Sequence, residues 1–233
     1  VKHRLKVDPR IEDVFPGYAV IVVYASHLEN TASDEASSRV LREAESHARG
    51  AFLEMKPSEH PHIALWRNAY QKFGLKPSKF LCSAEALVSR VVKGNELPAI
   101  NALVDRYNAV SLRHVIPVGG EDWDHLVGDL VLCFADGSEP FETMAQGEVV
   151  TDHPIPGEVV WKDAAGVTCR AWNWRQCLRT RLIEATTNAY FVLERLEPYP
   201  LEHLHAAVNE LEQHLRTTSP GVIIEREHFG GAA

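Results

Sequence analysis

The chain has 233 residues, 45% hydrophobic and 24% charged, an ordinary balance for a globular protein. No apolar run approaches the roughly 20 residues of a membrane span, and a formal net charge of −8 argues against a protein that simply coats nucleic acid. Residues 1–7 carry charge with no apolar stretch behind them, unlike a secretory signal.

Val20-Ile21-Val22-Val23-Tyr24, after Pro16-Gly17, predicts a buried strand. Thr31 or Ser33 can cap a helix over 34–53, where Val40, Leu41, Ala44, Ala48 and Phe52 recur at amphipathic spacing. Further helices are predicted over 62–73, stopped by Gly74, over 83–93, closed by Gly94, and over 101–114 with Asn101 as cap. After Pro117 the character changes. Residues 129–134 read as a strand, 158–161 and 167–172 as a hairpin around a turn-rich 163–166, and 189–193 as another strand. A late helix over 201–215, a last strand over 222–225 and a loose tail over 229–233 complete the pattern. Helices gather first and strands later. The expected fold is therefore α+β, a mixed sheet with packed helices, in one domain over 1–233.

Charge is unevenly distributed. Residues 114–161 contain no Lys or Arg and ten acids, whereas 56–113 carry nine basic residues against four acids. Such a split suits one basic face turned to a polyanion, or a solvated helix surface.

Cys82, Cys133, Cys169 and Cys177 form no C-x-x-C pair and no zinc spacing, which predicts reduced thiols in a cytoplasmic protein and no metal. No nucleotide fingerprint occurs, so no cofactor is expected. His60 and His62, and His203 and His205, diverge on a helix and make poor metal pairs. His27 and His114 are the histidines best placed for a site, or are surface residues. Ser83 and Ser111 stand in no nucleophile elbow.

Gly119-Gly120 can bring backbone N–H groups up to a ligand, or form a tight turn needing positive φ. Glu139, beside Pro140, is a site carboxylate or an exposed turn acid. Trp172-Asn173-Trp174-Arg175 is the richest cluster. On an extended segment its indoles share one side, and Asn173 and Arg175 the other; they hold an aminoacyl group or a base, or the indoles are core.

In chain order, Trp66-Arg67-x-x-Tyr70, Phe73-Gly74-x-Lys76-Pro77, Ser83-x-Glu85-x-Leu87, Asn101, Val104-Asp105-x-x-Asn108-x-x-Ser111, Pro117-x-Gly119-Gly120-x-Asp122, Gly128-Asp129, Glu139-x-Phe141, Gly157-Glu158 and Trp172-Asn173-Trp174-Arg175 make a set. Over about residues 60 to 195 it resembles free-standing B3/B4 proteins, relatives of the editing domain in the phenylalanyl-tRNA synthetase beta subunit. The resemblance implies a site in a cleft between sheet and helices. It also implies a trans-acting aminoacyl-tRNA deacylase that hydrolyses the ester of a mischarged tRNA without triad or metal. The alternative is a non-catalytic module that binds tRNA or an amino acid. Expected catalytic residues are Asn108, Gly119, Gly120, Glu139 and Arg175. His114, Trp172, Asn173, Trp174 and Glu194 are expected to bind substrate, and Lys72, Lys76 and Lys79 the tRNA. Gly119 stands where the synthetase module has a histidine, and Glu194 falls near its glutamate for the substrate tyrosine hydroxyl.

Overall fold

β2 (Ala19–Ser26) has no polar face. Val20, Val22 and Tyr24 enter one hydrophobic core, while Ala19, Ile21, Val23 and Ala25 enter another. Successive side chains alternate across a strand, so an unbroken apolar run means cover on both sides. The computed structural model describes residues 5–231 and supplies that cover. β2 lies in an antiparallel sheet with β3 (Val118–Asp122), β10 (Asn188–Arg195) and β11 (Ile223–Gly230), in the order β11-β2-β10-β3.

One face of this sheet packs on helices. From α5 (Ala102–His114) come Leu103, Val104 and Val110, and from α6 (Leu201–Thr218) come Leu204, Val208, Leu211 and Leu215. α2 (Glu35–Ala51) and α4 (Ser83–Val92) add a further helical layer through Leu41, Ala44, Val88 and Val91 against Ala109 and Leu112 of α5. The other face meets a second sheet of β1 (Leu5–Val7), β4 (Leu130–Phe134), β7 (Val159–Lys162), β8 (Val167–Arg170) and β9 (Arg175–Gln176), in the order β1-β4-β7-β8-β9. α3 (Pro61–Lys72) closes this inner core with Trp66, Ala69 and Tyr70. α1 (Pro9–Val14) packs near β4, and β5 (Phe141–Ala145) with β6 (Glu148–Asp152) forms a separate hairpin. The architecture is α+β, a mixed sheet with packed helices, as the sequence predicts.

Several local expectations need correction. The cap of α2 is Asp34, not Thr31 or Ser33. Its carboxylate accepts the Ser37 N–H at 2.6 Å, and Ser37 Oγ accepts the Asp34 N–H at 3.1 Å, a reciprocal capping box. Phe229 and Gly230 belong to β11 rather than a loose tail, because they pair with Val20 and Ala19. Gly119 and Gly120 are strand residues of β3 and neither has positive φ, so they form no tight turn. The charged start, residues 1–4, and residues 232–233 of the expected tail lie outside the described range.

A buried histidine ties α3 to the end of α5. Trp66 Nε1 donates to His62 Nε2 at 3.0 Å, which leaves the proton on Nδ1 to donate to Val115 O at 2.8 Å. The ring stacks on Tyr199 at 4.2 Å. Burial lowers its pKa to about 3, so it is a neutral structural group.

Candidate functional site

Between the two sheets lies a cavity of about 220 Å³. That is below the about 300–1,000 Å³ of drug-sized sites and suits a ligand of amino-acid scale. Val118, Gly119 and Glu121 of β3 and Val192 and Glu194 of β10 form its floor. Trp161, Cys169 and Trp172 face them from the second sheet and the turn after it. Half-buried Asn108 of α5, Ser83 and Leu87 of α4, Trp174 and Gln176, with exposed Arg175, mark the mouth.

Glu194 anchors one end and is 1% exposed. Its Oε1 accepts from Tyr18 Oη at 2.7 Å, Trp172 Nε1 at 2.7 Å and Trp161 Nε1 at 3.2 Å. Its Oε2 accepts from Asn173 Nδ2 at 3.0 Å, and the Tyr70 hydroxyl fixes that amide by donating to Oδ1 at 2.9 Å. Burial pushes the Glu194 carboxyl up to about 7, while these donors pull the other way.

Glu121 lies at the other end, 3% exposed. It pairs in register with Tyr190, four residues before Glu194 on the same face of β10. Roughly 13 Å of strand therefore separates the two acids. Thr180 Oγ1 donates to Glu121 Oε2. The hydroxyls of Tyr190 and Thr168 lie beside the carboxylate, yet neither completes a hydrogen bond of normal geometry. Burial raises Glu121 to about 7 as well. Cys169 lines the same cavity and feels both carboxylates; burial first, then those charges, hold its thiol well above the usual range. It is not a ready nucleophile.

The turn after β8 is under strain. Ala171 and Trp172 have φ of 46° and 65°, uncommon for residues with a Cβ. Buried Glu158 supports it by accepting the Ala171 N–H at 2.8 Å and pairing bidentately with Arg170 at 2.9 and 2.7 Å. The expected extended placement of Trp172-Asn173-Trp174-Arg175 therefore fails. Trp172 is fully buried, whereas Trp174 turns to the mouth, with Phe80 at 4.8 Å and the Arg175 guanidinium at 4.4 Å from its ring.

Of the residues singled out from sequence, Asn108, Gly119, Trp172, Asn173, Trp174, Arg175 and Glu194 line this one cavity. The expected grouping needs correction at three positions. Gly120 points its missing side chain away, where a Cβ would stand 2.8 Å from the Phe191 ring. Glu139 accepts the Asp136 and Gly137 N–H groups at 3.2 and 3.1 Å and pairs with Lys162 at 2.9 Å, closing its own turn. His114 bonds Glu210 at 2.7 Å between α5 and α6. His27 is exposed at the end of β2.

Backbone alternation also corrects the glycine nest. Pro117 O accepts the Glu194 N–H, so the N–H of Gly119, two residues on, points into the ladder with β10. Gly120 points its polar groups outward, where Gln176 Nε2 donates to its carbonyl at 3.0 Å. What Gly119 contributes is open space over the floor.

Glu121, Gln176, Trp161 and Tyr18 belong to the site yet do not stand out in the sequence. A strand reading of 118–122 would have put Glu121 on the face of Gly119. Tyr18 and Trp161 carry no local signal.

Lys76 and Lys79 are exposed on the loop that leads to Phe80 and hence to Trp174. Lys72 partly serves the fold, reaching Val14 O at 3.3 Å and the Phe15 ring at 5.5 Å.

A family model described as B3/4 domain matches residues 65–209. A search of the curated proteins finds no match. Among solved structures, the chain is similar to an N-terminal fragment of the phenylalanyl-tRNA synthetase beta-subunit from Pyrococcus horikoshii. The identity is 13% and the TM-score 0.47, with 96% of this chain and 50% of that one covered. This chain therefore spans about half the length of that fragment.

Proposed function

The chain belongs to the B3/4 domain family, and from that premise we propose that its cavity receives the aminoacyl end of a mischarged tRNA and hydrolyses the ester. The observation that carries this reading is an amino-acid-sized cavity with aromatic walls and a carboxylate, Glu194, held by four hydrogen bonds in its floor. It opens at Trp174 and Arg175, beside a loop that exposes Lys76 and Lys79.

Water attacks the ester carbonyl carbon, the bond to the ribose oxygen breaks, and free amino acid and uncharged tRNA leave. Negative charge develops on the carbonyl oxygen, so donors already aimed there speed the reaction. Asn108, Gln176 and Arg175 are the donors at the mouth. The substrate's own ribose hydroxyl can orient the water. The acids in the floor take the positive charge of the aminoacyl group. Docking of tRNA falls to the Lys76–Lys79 side.

The test is release of free amino acid from a panel of misacylated tRNAs. Arg175→Ala and Asn108→Ala should each slow release at least about tenfold, one oxyanion donor being worth on the order of a hundredfold or more, with melting temperature nearly unchanged. Loss of stability in step with activity would make both residues structural. Protection of the ester without hydrolysis would favour the binding-module reading.

A further inference from the structure

The cavity holds more carboxyl groups than an ordinary aminoacyl group can answer. Every aminoacyl ester carries one α-ammonium, whereas two buried carboxylates line this floor. Among the described residues neither acid forms an ion pair. Arg179, the cation that reaches Glu121 most strongly, is engaged bidentately by Asp163 at 2.9 and 2.8 Å. Burying a carboxylate without a partner is costly, and such groups in a cleft mark places where a ligand supplies the missing charge.

The two ends differ in what they have left to give. Glu194 already accepts four donors at fixed positions, with one acceptor place remaining on Oε2. That suits the α-ammonium, which is common to all aminoacyl groups. Glu121 accepts from Thr180, and against its carboxylate lie two fully buried hydroxyls, Tyr190 and Thr168, neither of which completes a hydrogen bond of normal geometry. A side-chain ammonium offers three N–H donors. One carboxylate and two hydroxyl oxygens answer all three. Between the ends the floor and walls are apolar, with Val192, Trp161, Tyr107 and Cys169. An aliphatic stem packs there while its charged tip lies at the acid.

We propose that the Glu121 end of the cavity selects aminoacyl groups whose side chain ends in a protonated amine, so that the substrate class is the diamino acids, lysine-like in length. This rests on the reading of the cavity as an aminoacyl site. The Tyr190 and Thr168 hydroxyls then take up the two N–H groups that Glu121 does not.

Titration calorimetry on the whole chain tests this with amino-acid amides as probes: lysinamide, ornithinamide, norleucinamide and tyrosinamide. Wild type should bind lysinamide at least about tenfold more tightly than norleucinamide, which has the same stem and no terminal amine. Glu121→Gln should lower lysinamide affinity about tenfold more than norleucinamide affinity. Equal or tighter binding of norleucinamide or tyrosinamide to wild type overturns the proposal, as does binding of none of the four; neither outcome depends on how the variant folds. Deacylation is scored separately. Lysinamide preference with no hydrolysis of any charged tRNA leaves this inference standing and removes the proposed reaction. Hydrolysis with no preference for tRNA charged with a diamino acid removes this inference alone.

Discussion

The Trp172 indole nitrogen lies 2.7 Å from Oε1 of Glu194, and the residue that delivers it sits at φ 65°, directly after Ala171 at φ 46°. Strained backbone of this kind persists only where its surroundings over-determine it. Here the Trp172 N–H donates to Val159 O at 2.6 Å, and Phe15, Tyr18 and Trp66 pack edge-on around the indole at 4.8, 5.1 and 5.1 Å. The strained turn thereby sends Trp172 down to the floor and Trp174 up to the mouth.

Glu158→Gln should release that turn. The substitution weakens the bidentate Arg170 pair, and removing one partner's charge from a buried pair costs about 3–5 kcal/mol. The Ala171 N–H loses its charged acceptor as well. Urea unfolding should show a loss of several kcal/mol, and near-ultraviolet dichroism a changed tryptophan environment. A loss below about 1 kcal/mol with an unchanged spectrum would mean that the inner core alone holds the turn.

Stability should fall as pH rises through neutrality, because of the floor acids. Glu121 and Glu194 have an ordinary value of 4.5 when unfolded and about 7 when folded. Between those values the native state binds more protons than the unfolded chain, so stability is full below 4.5 and lost as pH rises through 7. The loss is on the order of 3 kcal/mol per acid. His62 acts with the opposite slope: its stabilising contribution is present above 6.5 and is lost as pH falls toward about 3. Glu121→Gln should therefore gain on wild type by about 1–3 kcal/mol at pH 8 and little at pH 5. A difference between the two chains that does not change with pH would show that Glu121 is not held near neutrality.

The helices were legible because each signal is local. Asn101 caps α5 as its side chain suggests, accepting the Val104 N–H at 3.0 Å, and Gly74 and Gly94 follow the ends of α3 and α4 at positive φ. β3 was not legible, since Gly-Gly reads as a turn; tertiary pairing with β10 makes it a strand. For the same reason Glu121 was missed while Gly119, two residues away on the same face, was found. Glu139 and His114 went the other way. Each had the right chemistry, but partners remote in sequence, Lys162 and Glu210, engage them elsewhere. The resemblance names Asn108, Trp172 and Glu194, which the structure brings to one cavity, but only the register of β3 and β10 reveals two acids on one floor.

Replacing Lys76 and Lys79 together with Ala should weaken any tRNA binding and flatten its dependence on salt, by roughly 0.9 log units for each phosphate of a duplex stem that is no longer neutralised. Both side chains are exposed, so melting should not change. Lys72→Ala is a less clean probe because its ammonium also reaches Val14 O and the Phe15 ring. Affinity and salt slope that survive the double change would place docking on another face.

Gly119→Ala and Gly120→Ala should fail in different ways. A Cβ on Gly120 would stand 2.8 Å from two atoms of the Phe191 ring and 3.0 Å from Leu182, in a fully packed core. Overpacking of that kind costs typically about 1–3 kcal/mol, so this variant should unfold earlier in urea. A Cβ on Gly119 would meet Gln176 Nε2 at 3.1 Å, the end of a half-buried, flexible side chain. Gln176 can give way there, and the fold should keep its stability to within about 0.5 kcal/mol, as substitutions outside such packed features do. The new methyl, however, would intrude on the floor of the cavity and shift the Gln176 amide from the Gly120 carbonyl. Ligand affinity or ester hydrolysis should drop about tenfold for Gly119→Ala, measured on protein shown to be folded. Equal loss of stability in both variants, or undiminished binding by Gly119→Ala, would remove Gly119 from the site and leave it a strand residue like its neighbour.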